Sequence, residues 1–261
     1  MGKKVLAFDF GASGGRAVMG EYNEEKLSLT ELHRFSNDPV MLGGTFYWDF
    51  LRLFHDIKLG ISKAVISGNK DIISLGIDTW GVDFGLLDND GRKIRFLKNI
   101  IGLWLMQECR RQWQREGDSM SFADIDKLTI KAKSLERFIN PDYAAFSVPG
   151  NMPARIAEYC RKTGQTPPQN KGEVARCITE SLALKYRSII EELENIRGRK
   201  IDVIHIIGGG VQDKLLCQYT ANSTKKKVLA GPIEATALGN VAVQLISCGE
   251  FANIDECSSF R

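Results

Sequence analysis

The chain opens with an apolar run, Val5 to Phe10 (VLAFDF), that carries an acid next to its end. Its β-branched and aromatic content predicts a short strand, and Gly11-Ala12-Ser13-Gly14-Gly15 predicts a tight turn behind it. Two more strand-like runs follow, Ala17 to Glu21 and Leu27 to Phe35, separated by the polar turn Tyr22 to Lys26. The glycine-rich turn is therefore expected to join antiparallel strands and not to open a helix. From Asp49 to Ile66 apolar residues recur at 50, 51, 53, 54, 57, 61, 64 and 65. That is helical spacing, with Asp49 well placed as N-cap. Ile72 to Ile77 predicts a buried strand. Val82 to Leu87 predicts another, closed by the turn Asp88-Asn89-Asp90-Gly91. Residues 1–91 thus read β-β-β-α-β-β.

The remainder is mostly helical. Phe96 to Arg115, apolar at 96, 97, 100, 101, 103, 104 and 105, predicts a helix, and Phe122 to Lys133 a shorter one. Arg137 to Gly150 lacks periodicity and holds Pro141, Pro149 and Gly150, which makes it a loop. Pro153 to Lys162 reads as a helix with proline near its start. After the loop Thr163 to Lys171, Glu173 to Ile196 predicts a long amphipathic helix, ended by Arg197-Gly198-Arg199. Val203 to Ile207 predicts a strand running into Gly208-Gly209-Gly210. Asp213 to Ala221 (helix), Lys227 to Ala230 (strand) and Glu234 to Ile246 (helix) complete the chain. Alternating strands and helices imply an α/β layer with a parallel sheet.

Composition narrows the function classes. Of 261 residues, 43% are hydrophobic and 26% charged, which excludes disordered and fibrous classes. A net charge of +3 gives no reason to expect a nucleic-acid or polybasic membrane partner. No run reaches the roughly 18 apolar residues of a spanning helix. Met1-Gly2-Lys3-Lys4 leads straight into the first strand, unlike a signal peptide, so a cytoplasmic protein is expected. The six cysteines, at 109, 160, 177, 217, 248 and 257, form no CxxC pair and are expected to be reduced and mostly buried. His33, His55 and His205 lack metal-ligand spacing and are read as structural. Lys225-Lys226-Lys227 reads as a solvated strand edge.

Three segments hold candidate chemistry. In Asp9-Phe10-Gly11-Ala12-Ser13-Gly14-Gly15-Arg16, small residues let the backbone approach an anion, an acid at a strand end suits Mg²⁺ beside phosphates, and Arg16 suits a phosphate oxygen. The segment lacks the Gly-Lys-Ser/Thr ending of a Walker A loop. The same residues equally suit a plain hairpin with a capping aspartate. In Asp78-Thr79-Trp80-Gly81-Val82-Asp83-Phe84, two acids flank a Trp-Gly between strands. A sugar ring stacks on tryptophan and its hydroxyls bond carboxylates; a turn-capping Asp78 and a core Trp80 fit as well. In Ile207-Gly208-Gly209-Gly210 a strand ends in three glycines, which suits a flat nucleoside or an ordinary turn.

In combination these segments resemble the sugar kinases of the FGGY family, within the actin/hexokinase/Hsp70 ATPase superfamily. Glu31-Leu32-His33-Arg34-Phe35, Leu97-Lys98-Asn99-Ile100, Gly102-Leu103-Trp104, Arg137-Phe138-Ile139-Asn140-Pro141 and Ala230-Gly231-Pro232-Ile233-Glu234-Ala235 add to the likeness. The resemblance implies an α/β, ribonuclease-H-like domain pair: a partial N-terminal domain over 1–93 and a partial C-terminal domain over 94–261. It implies ATP and Mg²⁺ as cofactors and phosphorylation of L-rhamnulose at its 1-hydroxyl, a step of L-rhamnose catabolism. Ala12, Ser13, Gly14, Gly15, Arg16 and Gly209 would bind ATP, Trp80, Gly81 and Asp83 the sugar, and Asp9 the metal.

The chain departs from the family in its middle. Members are nearly twice as long, and their second domain begins with a His-Asp-Thr segment, whose aspartate is the catalytic base, followed by a Ser-Gly-Thr phosphate loop. Neither is present, and His55-Asp56-Ile57 lies within the predicted helix. The sequence jumps near Arg92-Lys93-Ile94-Arg95, so no residue is assigned as catalytic and the kinase activity is expected to be impaired; the alternative is a non-catalytic remnant with weak or no nucleotide binding. Missing opening strands would leave a sheet edge exposed, which predicts association or aggregation.

Overall fold

The structure, a computed structural model, describes residues 2–11, 13–79 and 99–258. The expectations for Ala12, Trp80, Gly81, Asp83 and the strand Val82 to Leu87 lie outside the described residues. The chain divides into two compact units, Met1–Phe84 with Glu234–Arg261, and Gly85–Ile233.

In the first unit, β1 (Lys3–Phe10), β2 (Gly14–Tyr22) and β3 (Leu27–Ser36) form an antiparallel meander. The glycine-rich segment is a hairpin turn, as expected. A fourth strand, β6 (Ile72–Thr79), runs parallel to β1, giving the order β3-β2-β1-β6. Strand alternation sends Leu6, Phe8 and Phe10 to one face, where they pack with Ala17, Phe35 and Ala64. Val5 and Ala7 go to the other, against Val241, Ala242 and Leu245. Helix α1 (Phe50–Ile66) starts at Asp49, whose side chain accepts from the Arg52 N–H, and packs on β2 and β3. Helix α7 (Ala235–Ser247) packs on β1 and β6, and α8 (Ile254–Ser258) adjoins it.

Strand β6 was expected to be buried, and the structure corrects this. Ile73, Leu75 and Ile77 stand exposed in a row, and among the described residues α1 lies over β2 and β3 and not over their side of β6. A small hairpin, β4 (Val40–Leu42) and β5 (Thr45–Tyr47), was not expected at all. It turns on Gly43 and Gly44, both at positive φ, the backbone a tight hairpin turn requires.

The second unit is built on α5 (Lys171–Arg197), flanked by α2 (Trp104–Arg115), α3 (Phe122–Lys131), α4 (Met152–Lys162) and α6 (Lys214–Thr224). Its core centres on Leu105, Trp113, Phe146, Ile156, Ile178 and Leu182. Asn170 caps α5, its side chain accepting from the Glu173 N–H, while Glu173 accepts from the Gln169 N–H just before the helix. Gly198, at φ 66°, ends it. The parallel pair β7 (Val203–Ile206) and β8 (Lys227–Ala230) completes the unit. Helix α2 starts later than the periodicity predicts. Gly102 precedes it, and the Ile101 N–H is drawn off to the Asp142 carboxylate at 3.1 Å. All six cysteines are free, and Cys109, Cys160, Cys177 and Cys257 are buried.

Candidate functional site

The register of the first sheet assembles the site. Asp9 on β1 stands opposite Arg16 on β2 and beside Asp78 on β6. Three strands therefore bring three charged side chains into one row at the strand ends. Arg16 donates to Asp9 Oδ2 at 2.7 Å and pairs through its other terminal nitrogen with Glu234, at the start of α7. Burial would lower the Arg16 pKa, but its two carboxylate partners outweigh that and raise it.

Asp78 is the perturbed member. Burial raises its pKa, the Asn240 amide opposes that, and the neighbouring Asp9 carboxylate, within hydrogen-bond reach, adds to it; the result is about 6. Asn240 donates to Asp78 Oδ2 at 2.5 Å. The other oxygen, Oδ1, is buried with no donor among the described residues. Two facing carboxylates with an undonated oxygen offer the all-oxygen donor set that a hard cation prefers, so the residues present fit Mg²⁺.

The turn between β1 and β2 is closed by Gly11 N–H to Gly14 O at 2.8 Å. Asn37, buried behind β3, braces it: its amide donates to Gly11 O at 3.0 Å and its backbone N–H to Ser13 O at 3.3 Å. Gly14 and Gly15 have a packing reason to lack side chains. A Cβ on Gly14 would come within 2.7 Å of Phe35 O, and one on Gly15 within 2.3 Å of the Phe35 ring. The sequence signal for glycine there was read as backbone approach to a ligand; the crossing strand supplies a second cause.

The second unit holds the other glycine loop. Gly208, at φ 77°, leaves β7, and Gly209 begins a short 3₁₀ turn to Gln212. The Gly208 N–H donates to Pro232 O at 3.0 Å and the Gly231 N–H to Ile206 O at 2.9 Å, so the Gly208–Gly210 and Gly231-Pro232 segments lie together. Among the described residues a Cβ on Gly209 would meet nothing within 4 Å.

The structure thus brings together Asp9, Ser13, Gly14, Gly15, Arg16 and Asp78 in one unit, and places Gly209 in the other. Sequence reasoning missed Asn37, Glu234, Asn240 and Gln244. Glu234 and Asn240 lie in the stretch Ala230 to Asn240, which the sequence marks only as a turn followed by a helix of small residues. The lysine run is corrected in part: Lys226 is largely buried and bonds Glu194 Oε1 at 2.5 Å and Ile201 O at 2.7 Å. Among the described residues no three His, Cys, Asp or Glu side chains cluster as a metal site, and no helix is long and apolar enough to cross a membrane.

The model of the FGGY family of carbohydrate kinases, C-terminal domain, matches residues 91–248. The rhamnulokinase of Bacteroides thetaiotaomicron is 46% identical over 164 residues, 62% of this chain and 32% of that protein. The rhamnulokinase of Halalkalibacterium halodurans is 41% identical over 252 residues, 90% of this chain and 53% of that protein. The chain therefore spans about half the length, or less, of these curated relatives. Among solved structures, a gluconate kinase from Lactobacillus acidophilus superposes with a TM-score of 0.52 at 9% identity, covering 100% of this chain and 92% of that one. The activator of the 2-hydroxyisocaproyl-CoA dehydratase from Clostridium difficile, with bound ADPNP, gives 0.51 at 14% identity, covering 97% and 99%. These two likenesses show a shared α/β fold. With a family model matched over more than half of its residues, the chain belongs to the FGGY family of carbohydrate kinases.

Proposed function

We propose that this chain is a shortened carbohydrate kinase of the L-rhamnulose-phosphorylating kind, which takes Mg-ATP at the ends of β1, β2 and β6. The observation that carries this is the row Arg16–Asp9–Asp78 beside a glycine turn, in a chain of this family. Asp9, with Asp78 beside it, would hold Mg²⁺, and the bound ion supplies neutralisation of phosphate charge. The backbone of Ala12 to Gly15 would receive the phosphates. Arg16 pairs with Asp9 and Glu234 through its two terminal nitrogens, and another of its five N–H donors would meet a phosphate oxygen. Gly209 would lie against the adenosine, and Trp80, Gly81 and Asp83 against the sugar, in a cytoplasmic protein.

Phosphoryl transfer to a sugar hydroxyl also needs a group that accepts the hydroxyl proton. The family's His-Asp-Thr segment is absent. Loss of a general base alone costs about 10²- to 10⁴-fold. In this reading the chain binds nucleotide and turns it over poorly. That absent segment also favours a second reading, a remnant that no longer binds nucleotide. Calorimetric titration with the ATP analogue ADPNP, with and without Mg²⁺, separates the two. Saturable, Mg²⁺-dependent binding that Asp9→Asn abolishes supports the first; no binding by a folded chain supports the second. The exposed apolar row Ile73, Leu75 and Ile77 favours self-association, which sedimentation over a concentration series reads directly.

A further inference from the structure

Helix α7 lies more than 150 residues after β6 in the chain, yet it supplies the polar contacts at the carboxylate row. Asn240 and Gln244 are four residues apart and share one face of the helix. Gln244 is buried, and its amide nitrogen spends its two protons on Leu6 O at 3.2 Å and Asn240 Oδ1 at 2.8 Å. With its oxygen so engaged, the Asn240 side chain has one orientation left: Nδ2 turned to Asp78, donating to Oδ2 at 2.5 Å. The chain of donors is therefore directional, from the rigid β1 carbonyl ladder to a single carboxylate oxygen. Gly76 makes room for it. A Cβ there would stand 2.4 Å from Asn240 Oδ1 and 2.8 Å from Gln244 Nε2.

We propose that Asn240, oriented by Gln244 and admitted by Gly76, is a positioning residue that holds the Asp78 carboxylate against Asp9. A helix anchor alone does not need this arrangement. Val241 and Leu245, both fully buried against β1, already fix α7 to the sheet. The amide pair adds orientation at one oxygen. The inference rests on the reading of Asp9 and Asp78 as the cation end of the phosphate site, and its test separates the two.

The affinity of the folded chain for Mn²⁺, followed by electron paramagnetic resonance, is the first readout. Asn240→Ala is expected to weaken it about 10- to 100-fold, the usual cost of losing a group that orients a metal ligand. Gln244→Met, which frees the Asn240 amide to turn, is expected to weaken it less. Leu245→Ala opens a cavity under the same helix and is expected to lower the melting temperature without changing Mn²⁺ affinity. The second readout needs no metal: the Asn240 side-chain ¹⁵N–¹H₂ signal is expected to sit at low proton field and to move when Asp78→Ser removes its acceptor. Unchanged Mn²⁺ affinity in Asn240→Ala, or equal weakening in Leu245→Ala, overturns the proposal. Should the wild-type chain bind no Mn²⁺, the cation reading falls and the amide signal decides: movement in Asp78→Ser upholds the positioning role, and no movement overturns it.

Discussion

Glycines that look alike in the sequence do different work. Gly15 is small because Phe35 crosses it, whereas among the described residues nothing stands over Gly209. Gly15→Ala should therefore cost about 1–3 kcal/mol of stability through overpacking. Gly209→Ala should leave urea unfolding within about 0.5 kcal/mol of wild type. Any loss in Gly209→Ala should appear in nucleotide affinity, by titration with ADPNP. A stability loss in both variants, or in neither, contradicts this division. Residue types at the site were legible where a strand visibly ended on an acid, as at Asp9 and Asp78. Their partnership was not, because it depends on the β1–β6 register. Nor were Asn240 and Gln244, since a polar pair on a mostly apolar helix carries no signal until its neighbours are known.

Elements were legible mainly through their ends. Asp49 and Asp213 sit at predicted helix starts, and each side chain caps its helix. Periodicity over-extended α2, because it records which residues are apolar and not where Gly102 breaks the backbone. Two side-chain ties hold elements together that sequence could not join. His33 Nε2 bonds Asp56 Oδ1 at 3.0 Å and His33 Nδ1 accepts from Lys63 Nζ at 2.9 Å, fastening α1 to β3. Asp56→Ala leaves a buried ring N–H without its acceptor and should cost about 1–3 kcal/mol. The urea midpoint should fall with the slope unchanged.

Glu194, near the end of α5, accepts from the Ile201 N–H at 2.8 Å, Lys226 at 2.5 Å and Lys200 at 2.9 Å. The backbone N–H first, then the lysines, pull its pKa down to about 2. A carboxylate lowered on folding stabilises the native state above its unfolded pKa, about 4.3, and loses that contribution as pH falls towards the folded value. The gap in melting temperature between wild type and Glu194→Gln should therefore be full at pH 7 and shrink between about pH 4 and pH 2. A gap that widens on acidification would contradict the assignment.

At the scale of the molecule, the family was legible because its motifs are spread through the chain. In the first unit the three-strand meander, α1 and β6 were legible from their patterns, whereas the short β4–β5 hairpin between them was not. The exposed face of β6 was not, since an alternating apolar strand looks buried whatever covers it. In the proposed reading the chain keeps the carboxylates at the phosphate end and lacks the group that accepts the sugar's proton. ADP release from Mg-ATP by the folded 261-residue chain, with and without L-rhamnulose, tests it most directly. No sugar-dependent ADP above the rate of the Asp9→Asn variant is expected. Sugar-dependent ADP release above that rate would contradict it.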